Sequence, residues 1–362
     1  ATVILDDLFE HIRRPVFVDG YEIFASASAG MSIFPEHGLD YGSLRHNADI
    51  AMYKVKGQER GGIAVFNIGM QQDAVLKMES EQRLRQAILD RHVCCAYQPK
   101  VNIRTQEVEG VETLIRLRNE EGVVQAPASF IDLAVELGLI DDLTHMVLEE
   151  IRGSIDVIDE MFGKGVRLSV NVAAKQATND KFMAGFAEAL SFTGFPERFM
   201  VEITEDAFIS KSKFQAEIQP MLRAIGVGIS IDDFGVGYSS LSALADITAD
   251  ELKIDRSFIT DIHKRPRSQS ILKAIESLGE ALHMKVIAEG VETFEELAYL
   301  QAATRIKFAQ GYYFSKPMFI EEFGIADFRQ GTCSVTDPSR QTERRGSFGR
   351  VASSSRPNFR VR

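Results

Sequence analysis

Tryptophan is absent, cysteine occurs three times and histidine seven times in 362 residues. Each scarcity removes a class of protein. Cys94, Cys95 and Cys333 make no disulfide framework and match no zinc spacing, which excludes a cystine-stapled domain and a zinc ribbon. Cys94 and Cys95 stand side by side in an apolar, strand-like run, where packing is their expected role, and a reducing cytoplasm fits them. No apolar run is long enough for a membrane span, and no secretory leader is visible. Positive charge is short as well, with a formal net charge of −11. An acidic body argues against broad nucleic-acid binding, whose affinity rests on cations that neutralise phosphates. A small phosphorylated ligand held through metal ions stays open. The acidity is uneven. Arg329 to Arg362 carries eight arginines against Asp337 and Glu343, about +6, which leaves about −17 for the remainder. This Ser/Arg-rich tail, residues 329–362, lacks apolar periodicity and reads as disordered.

The rest has ordinary globular composition, 45% apolar and 26% charged, enough for one large domain and a smaller piece. The chain opens on Ala1 rather than Met and within an element, so a preceding segment is expected. Residues 1–70 read as α/β. An opening helix leads to the β-rich runs PVFVDG and YEIFASASAGMSIFP around an Asp19-Gly20 turn, then to the helical LRHNADIAMYKVKG and the short strand GIAVFN. A charged amphipathic linker helix is predicted over residues 71–90, from about Gln72, with Leu76, Leu84, Ala87 and Ile88 on its apolar side.

Eight β-type runs follow: CCAYQPKV, VEGVETLIRL, VRLSVNV, FMVEIT, VGISIDD, ADELKID, MKVIAEG and IKFAQGYYF. Helical segments separate all but the first two, which IRTQE alone joins, so an antiparallel pair is expected there. The pattern predicts an α/β fold, a TIM-like (β/α)8 barrel over residues 82–328 with an antiparallel first strand pair.

Chemistry in such a barrel belongs to the C-terminal ends of the strands. Strands two to eight end at or near Glu112, Asn171, Glu202, Asp232 with Asp233, Lys253, Glu289 and Gln310. Singly, each is an ordinary polar residue at a strand exit, and Asp232-Asp233 could serve as turn formers. Together they would crowd carboxylates into one mouth, which folding alone disfavours. Divalent cations relieve such crowding, and these oxygen ligands suit Mg²⁺ or Mn²⁺. Adjacent carboxylates fit two metals about 3.5–4 Å apart, the arrangement that serves in-line displacement at a phosphodiester. On this reading Asp232 and Asp233 feed neighbouring sites where the strand ends and its alternation lapses. Gly235 and Gly237 then let the loop turn beside the ligand. Lys253, inside the buried alternation ELKID, is suited to orient water or to stabilise developing charge.

These residues lie in motifs that resemble the EAL family of cyclic di-GMP phosphodiesterases. The motifs are YQP (97–99), ETLIR (112–116), SVNV (169–172), VEITE (201–205), DDFGVGYSSL (232–241), LKID (252–255), AEGVET (288–293) and QGY (310–312). The resemblance implies hydrolysis of cyclic di-GMP to linear pGpG in bacterial second-messenger signalling. It implies two Mg²⁺ or Mn²⁺ ions per site, with Ca²⁺ inhibitory, and a homodimer. Glu112, Asn171, Glu202, Asp232, Asp233 and Glu289 match the family's metal-binding residues. Lys253 and Glu289 match the pair that positions and activates water, and Gln310 the amide completing the site. Gln98, Arg116, Asp255 and Glu292 match residues on the dinucleotide side, and Arg116 has the fork that suits a phosphate. Glu205 matches the glutamate that pins the loop after Asp233.

There are departures. Thr113 replaces Ala in the signature triplet, and Val236 replaces a common Thr. Lys307 stands where the family often has Asp, and the expectation is a reversed charge near the mouth. No expected metal ligand is lost, so the reading favours an active enzyme. The alternative is a catalytically inactive cyclic di-GMP receptor that acts through a protein partner. SASAGMSIFPEHG and NADIAMYKVKGQERGG resemble the C-terminal half of a GGDEF (diguanylate cyclase) domain. Its signature loop is absent from this chain, and no cyclase activity is expected.

Overall fold

A computed structural model describes residues 2–18, 21–58, 62–118, 122, 124–205, 214–236 and 248–322. The Asp19-Gly20 turn, Gly237, Cys333 and the tail 329–362 lie outside the described residues. The chain divides after Asp90 into two compact units.

The first unit begins with α1 (Thr2–Ile12) and the antiparallel pair β1 (Val16–Val18) and β2 (Tyr21–Ile23). A β-α-β unit follows, in which β3 (Ala29–Met31) pairs in parallel with β4 (Ile63–Val65) across α2 (Tyr41–Gln58). Gly30 permits the close approach of β3 to α2, since a Cβ there would lie 1.9 Å from the Ala48 carbonyl oxygen. The helix α3 (Ile68–Leu89) starts before the expected Gln72 because the Asn67 side chain accepts the Met70 amide and caps it. Of its expected apolar side only Leu84 is fully buried, and Leu76 is exposed.

The second unit is a closed eight-stranded barrel. Its strands are β5 (Val93–Asn102), β6 (Val108–Arg118), β8 (Arg167–Asn171), β9 (Phe199–Thr204), β10 (Gly228–Phe234), β11 (Glu251–Ile254), β12 (Lys285–Ala288) and β13 (Phe308–Ala309). They follow one another around the ring, and β5 closes it by pairing with both β6 and β13. Seven strands are parallel, and β5 is antiparallel to both neighbours. The β5–β6 connection shows why. Five residues cannot hold a crossover helix, and the Asn102 side chain accepts the Arg104 and Thr105 amides to turn the chain back at once. Strand β6 continues past the barrel to pair with β7 (Val124–Gln125). Glu112 therefore lies mid-strand rather than at a strand end as expected.

Alternation along the strands assigns two jobs to two faces. Leu168, Val170, Val201, Ile203, Ile229 and Ile231 join the apolar cluster outside the ring, with helical residues such as Val147, Leu148, Ile151, Phe186 and Leu222. The helix Ile140–Phe162 buries Leu143, Val147, Ile151 and Ile158, the spacing of one helical face. The other strand face points into the ring and is polar: Ser169, Glu202, Ser230, Glu251 and Lys253 are all buried. Barrels of this type more often fill the inside with branched apolar side chains. The helical segment expected between β10 and β11 falls largely outside the described residues.

Candidate active site

The mouth forms where parallel strands end together. Lys253, on the short strand β11, is 1% exposed. Its Nζ lies 2.7 Å from Glu202, 2.8 Å from Glu289, 3.0 Å from Asp232 and 3.7 Å from Glu112. Burial opposes the ammonium charge, but these carboxylates outweigh it and hold the Lys253 pKa well above the usual lysine range. Its opposite numbers respond unequally. Burial pushes Glu112 up, and it pushes Glu289 up to about 8 despite Lys253. Burial would raise Glu202 too, but Lys100 and Lys253 overturn it and bring the carboxyl down to about 2.

The adjacent aspartates resolve through backbone geometry. Between Ile231 and Phe234 the register of β10 against β11 shifts, and Asp233 adopts φ +53°, a left-handed conformation tolerated by Asp. Strict alternation would send neighbouring side chains to opposite faces. The bulge instead leaves both carboxylates on the mouth. The Asp232 carboxylate accepts the Asp233 amide at 2.9 Å, and burial with the neighbouring Asp232 charge raises the Asp233 pKa. Gly235, at φ +98°, donates its amide to Glu205 at 2.8 Å, which fixes the start of the following loop.

Two carboxylate triads result, Glu112–Glu202–Asp232 and Asp232–Asp233–Glu289, each with one oxygen per residue within 4.8 Å of the others. Asp232 belongs to both. All the donors are hard oxygens, the kind that divalent cations such as Mg²⁺ or Mn²⁺ prefer, so these residues could hold them. Neighbouring amides orient the carboxylates. Asn171 donates to Glu112 Oε1 at 2.8 Å, and Gln310 donates to Glu112 Oε2 at 2.6 Å and to Gln98 at 2.9 Å. The buried Gln310 Oε1 has no partner among the described residues, an acceptor that a cation or its water would satisfy.

A cleft of about 250 Å³ opens above, and its lining includes Gln98, Asp255, Glu292 and Gln310 beside the acidic cluster. Asp255 also accepts the Ser257 amide at 2.9 Å. Arg116 is half-buried, is outside this lining and hydrogen-bonds its neighbour's carbonyl, Ile115 O, at 2.8 Å. Sequence reasoning passed over Arg256 and Leu114, which also line the cleft. It also passed over Lys100, a buried partner of Glu202. The available signal was alternation, since Gln98 and Lys100 stand two apart on β5 and so share a face. One expectation fails. Lys307 precedes β13 and lies with Met284 and Lys285 in a pocket at the opposite end of the barrel, so it reverses no charge at the mouth. Three residues of extended chain separate it from Gln310, about 10 Å along the barrel wall.

Among known proteins, the family model of the EAL domain matches residues 81–317. The cyclic di-GMP phosphodiesterase NbdA of Pseudomonas aeruginosa is 34% identical over 327 residues, 89% of this chain and 42% of its own length. The PaMucR phosphodiesterase in complex with c-di-GMP superposes with a TM-score of 0.62 at 34% identity, over 67% of this chain and 99% of that one. BlrP1 of Klebsiella pneumoniae, in a complex with manganese and cyclic di-GMP, gives a TM-score of 0.53 at 28% identity, over 63% and 57% of the two chains. The chain spans less than half the length of the curated relatives NbdA and PdeR of Escherichia coli.

Proposed function

The chain belongs to the EAL domain family, and on that premise we propose that it hydrolyses cyclic di-GMP to linear pGpG with two divalent cations, Mg²⁺ or Mn²⁺. The observation that carries this reading is the pair of carboxylate triads sharing Asp232 around the buried Lys253. Charge supports it. Inside the ring and at its mouth, the six carboxylates of Glu112, Glu202, Glu251, Asp232, Asp233 and Glu289 stand against only two ammonium groups, Lys100 and Lys253, and two divalent cations would balance the difference.

Glu112, Asn171, Glu202, Asp232, Asp233 and Glu289 would hold the cations, which when bound activate water and stabilise charge on the phosphoryl group. Lys253 and Glu289, 2.8 Å apart, form a donor–acceptor pair that can orient a water for in-line approach to phosphorus. Gln310 keeps Glu112 and Gln98 in fixed orientation through its two donated hydrogen bonds. Gln98, Asp255 and Glu292 in the cleft wall contact the dinucleotide, and Arg116 reaches it by turning out from its own strand. Glu205 holds the loop at Gly235. For residues 1–70 the proposal keeps a partial GGDEF-like domain, supported by the parallel β3–β4 pair across α2. A homodimer and a cytoplasmic setting complete the reading.

The test divides purified protein with cyclic di-GMP between Mg²⁺ or Mn²⁺ and Ca²⁺ and follows the product by chromatography. pGpG that appears with Mg²⁺ or Mn²⁺ and is suppressed in Ca²⁺ supports the proposal. Binding without product in any cation would make the chain a receptor.

A further inference from the structure

Beneath the mouth the barrel holds a second lysine, which sequence reasoning did not single out. Lys100 comes from β5, is 3% exposed, and crosses the ring to meet three strands. Its Nζ lies 2.6 Å from Glu202 Oε1, 2.6 Å from Ser169 Oγ and 3.3 Å from Glu251 Oε2. An aliphatic residue could fill the same space without desolvating an ammonium. The lysine therefore calls for a reason beyond packing.

The reason lies in how Glu202 is held. Its two oxygens are divided between two lysines: Oε1 to Lys100 below and Oε2 to Lys253 above. Lys253 also touches Asp232 and Glu289 at the mouth, so Oε2 is the oxygen on the side of the carboxylate triads. Glu251 sits on the far side of Lys100 and supplies a second counter-charge from below. With that support the ammonium stays in place when Glu202 shares its charge with a cation above.

We propose that Lys100 is a positioning residue for the cation site: by occupying Oε1 it presents Glu202 to a divalent cation through Oε2 alone. This rests on the two-cation reading above. A carboxylate with both oxygens free can chelate through both and take two coordination positions. Mg²⁺ and Mn²⁺ sites built on few carboxylates keep their remaining octahedral positions for water and phosphate oxygens. Restricting Glu202 to one oxygen keeps a position open next to Glu112 and Asp232. Without Lys100, Oε1 would lose its partner and Glu202 would keep only its Oε2 contact with Lys253, and Glu251 would lose its lysine partner.

The test measures Mn²⁺ binding to the full chain by calorimetry without substrate, comparing wild type with Lys100→Met. The expected loss of affinity is about ten- to a hundredfold, the range typical for removing a group that orients a metal ligand. At saturating Mn²⁺ the KM for cyclic di-GMP should stay within about twofold, since Lys100 is remote from the cleft. A lowered melting temperature with unchanged Mn²⁺ affinity would reduce Lys100 to a structural role and overturn the proposal. Wild type that binds no Mn²⁺ would overturn the two-cation reading itself, and the Lys100 role with it. If Lys100→Met does not fold, a crystal structure of wild type with Mn²⁺ decides. Glu202 bound by one oxygen, with the other still on Lys100, supports the proposal, and Glu202 bound through both oxygens sinks it.

Discussion

The outside of the barrel and its inside are made from the same strands and obey opposite rules. On β8, Leu168 and Val170 pack outward into the apolar cluster, while Ser169 faces Lys100 and Asn171 faces Glu112. The outer face gains stability by removing apolar surface from water, about 25 cal/mol per Å². The inner face gives some of it back by burying charge, which is tolerated where a buried carboxylate meets a lysine or an amide. The comparison teaches that stability and chemistry can be separated residue by residue along one strand.

The sharpest break comes from Asp232→Asn, which removes the carboxylate common to both triads. Turnover of cyclic di-GMP should fall by about 10³-fold or more, equivalent to about 4 kcal/mol of transition-state stabilisation, with the circular dichroism spectrum unchanged. Activity within tenfold of wild type would show that the shared carboxylate is idle.

The matching cut on the outer face is Leu168→Ala. It should cost about 2–5 kcal/mol of stability through lost burial and a residual cavity, read from denaturant unfolding. Turnover per folded molecule should hold. A large fall in turnover of fully folded protein would mean that the two faces are not independent.

Proton linkage sharpens the inner side. Burial raises Glu289 to about 8, so in the cation-free protein its carboxyl is protonated below that pH and must release the proton to bind a cation. Mn²⁺ affinity should therefore rise with pH, by about tenfold per unit from about pH 6 until it levels near pH 8. Calorimetry in buffers of different ionisation enthalpy counts the released protons, and a flat affinity over that range would contradict the assignment.

The smallest effect belongs to a polar atom misplaced for its surroundings. Thr113 is 3% exposed, and its Oγ1 has no partner among the described residues. Thr113→Val, which keeps the shape and removes the hydroxyl, should raise stability by about 1 kcal/mol, seen as a modest rise in melting temperature. A loss of stability would reveal a hydrogen bond to that hydroxyl.

Much of this could be read along the chain. Period-two alternation in VRLSVNV and VGISIDD marked the strands. The five-residue gap before VEGVETLIRL foretold the antiparallel pair, because no helix fits there. Polar residues near strand ends pointed to the mouth, since a parallel barrel brings those ends together. The misses have physical causes. Lys307 looked close to the site because it is three residues from Gln310, but those residues run the height of the barrel wall and carry it to the far end. The start of α3 was misplaced because the Asn67 cap decided it, ahead of the apolar spacing.

Local pattern was enough for the strands, their order and the residues that family motifs single out. Tertiary structure alone decided which oxygens meet. Lys100 reaches Glu251 across 151 residues of chain and Glu202 across 102. Only closure of the ring sets those distances, and only the left-handed turn at Asp233 lets adjacent aspartates share a mouth. Burial then set the charges, because desolvation and neighbouring ions act on a side chain according to where folding leaves it.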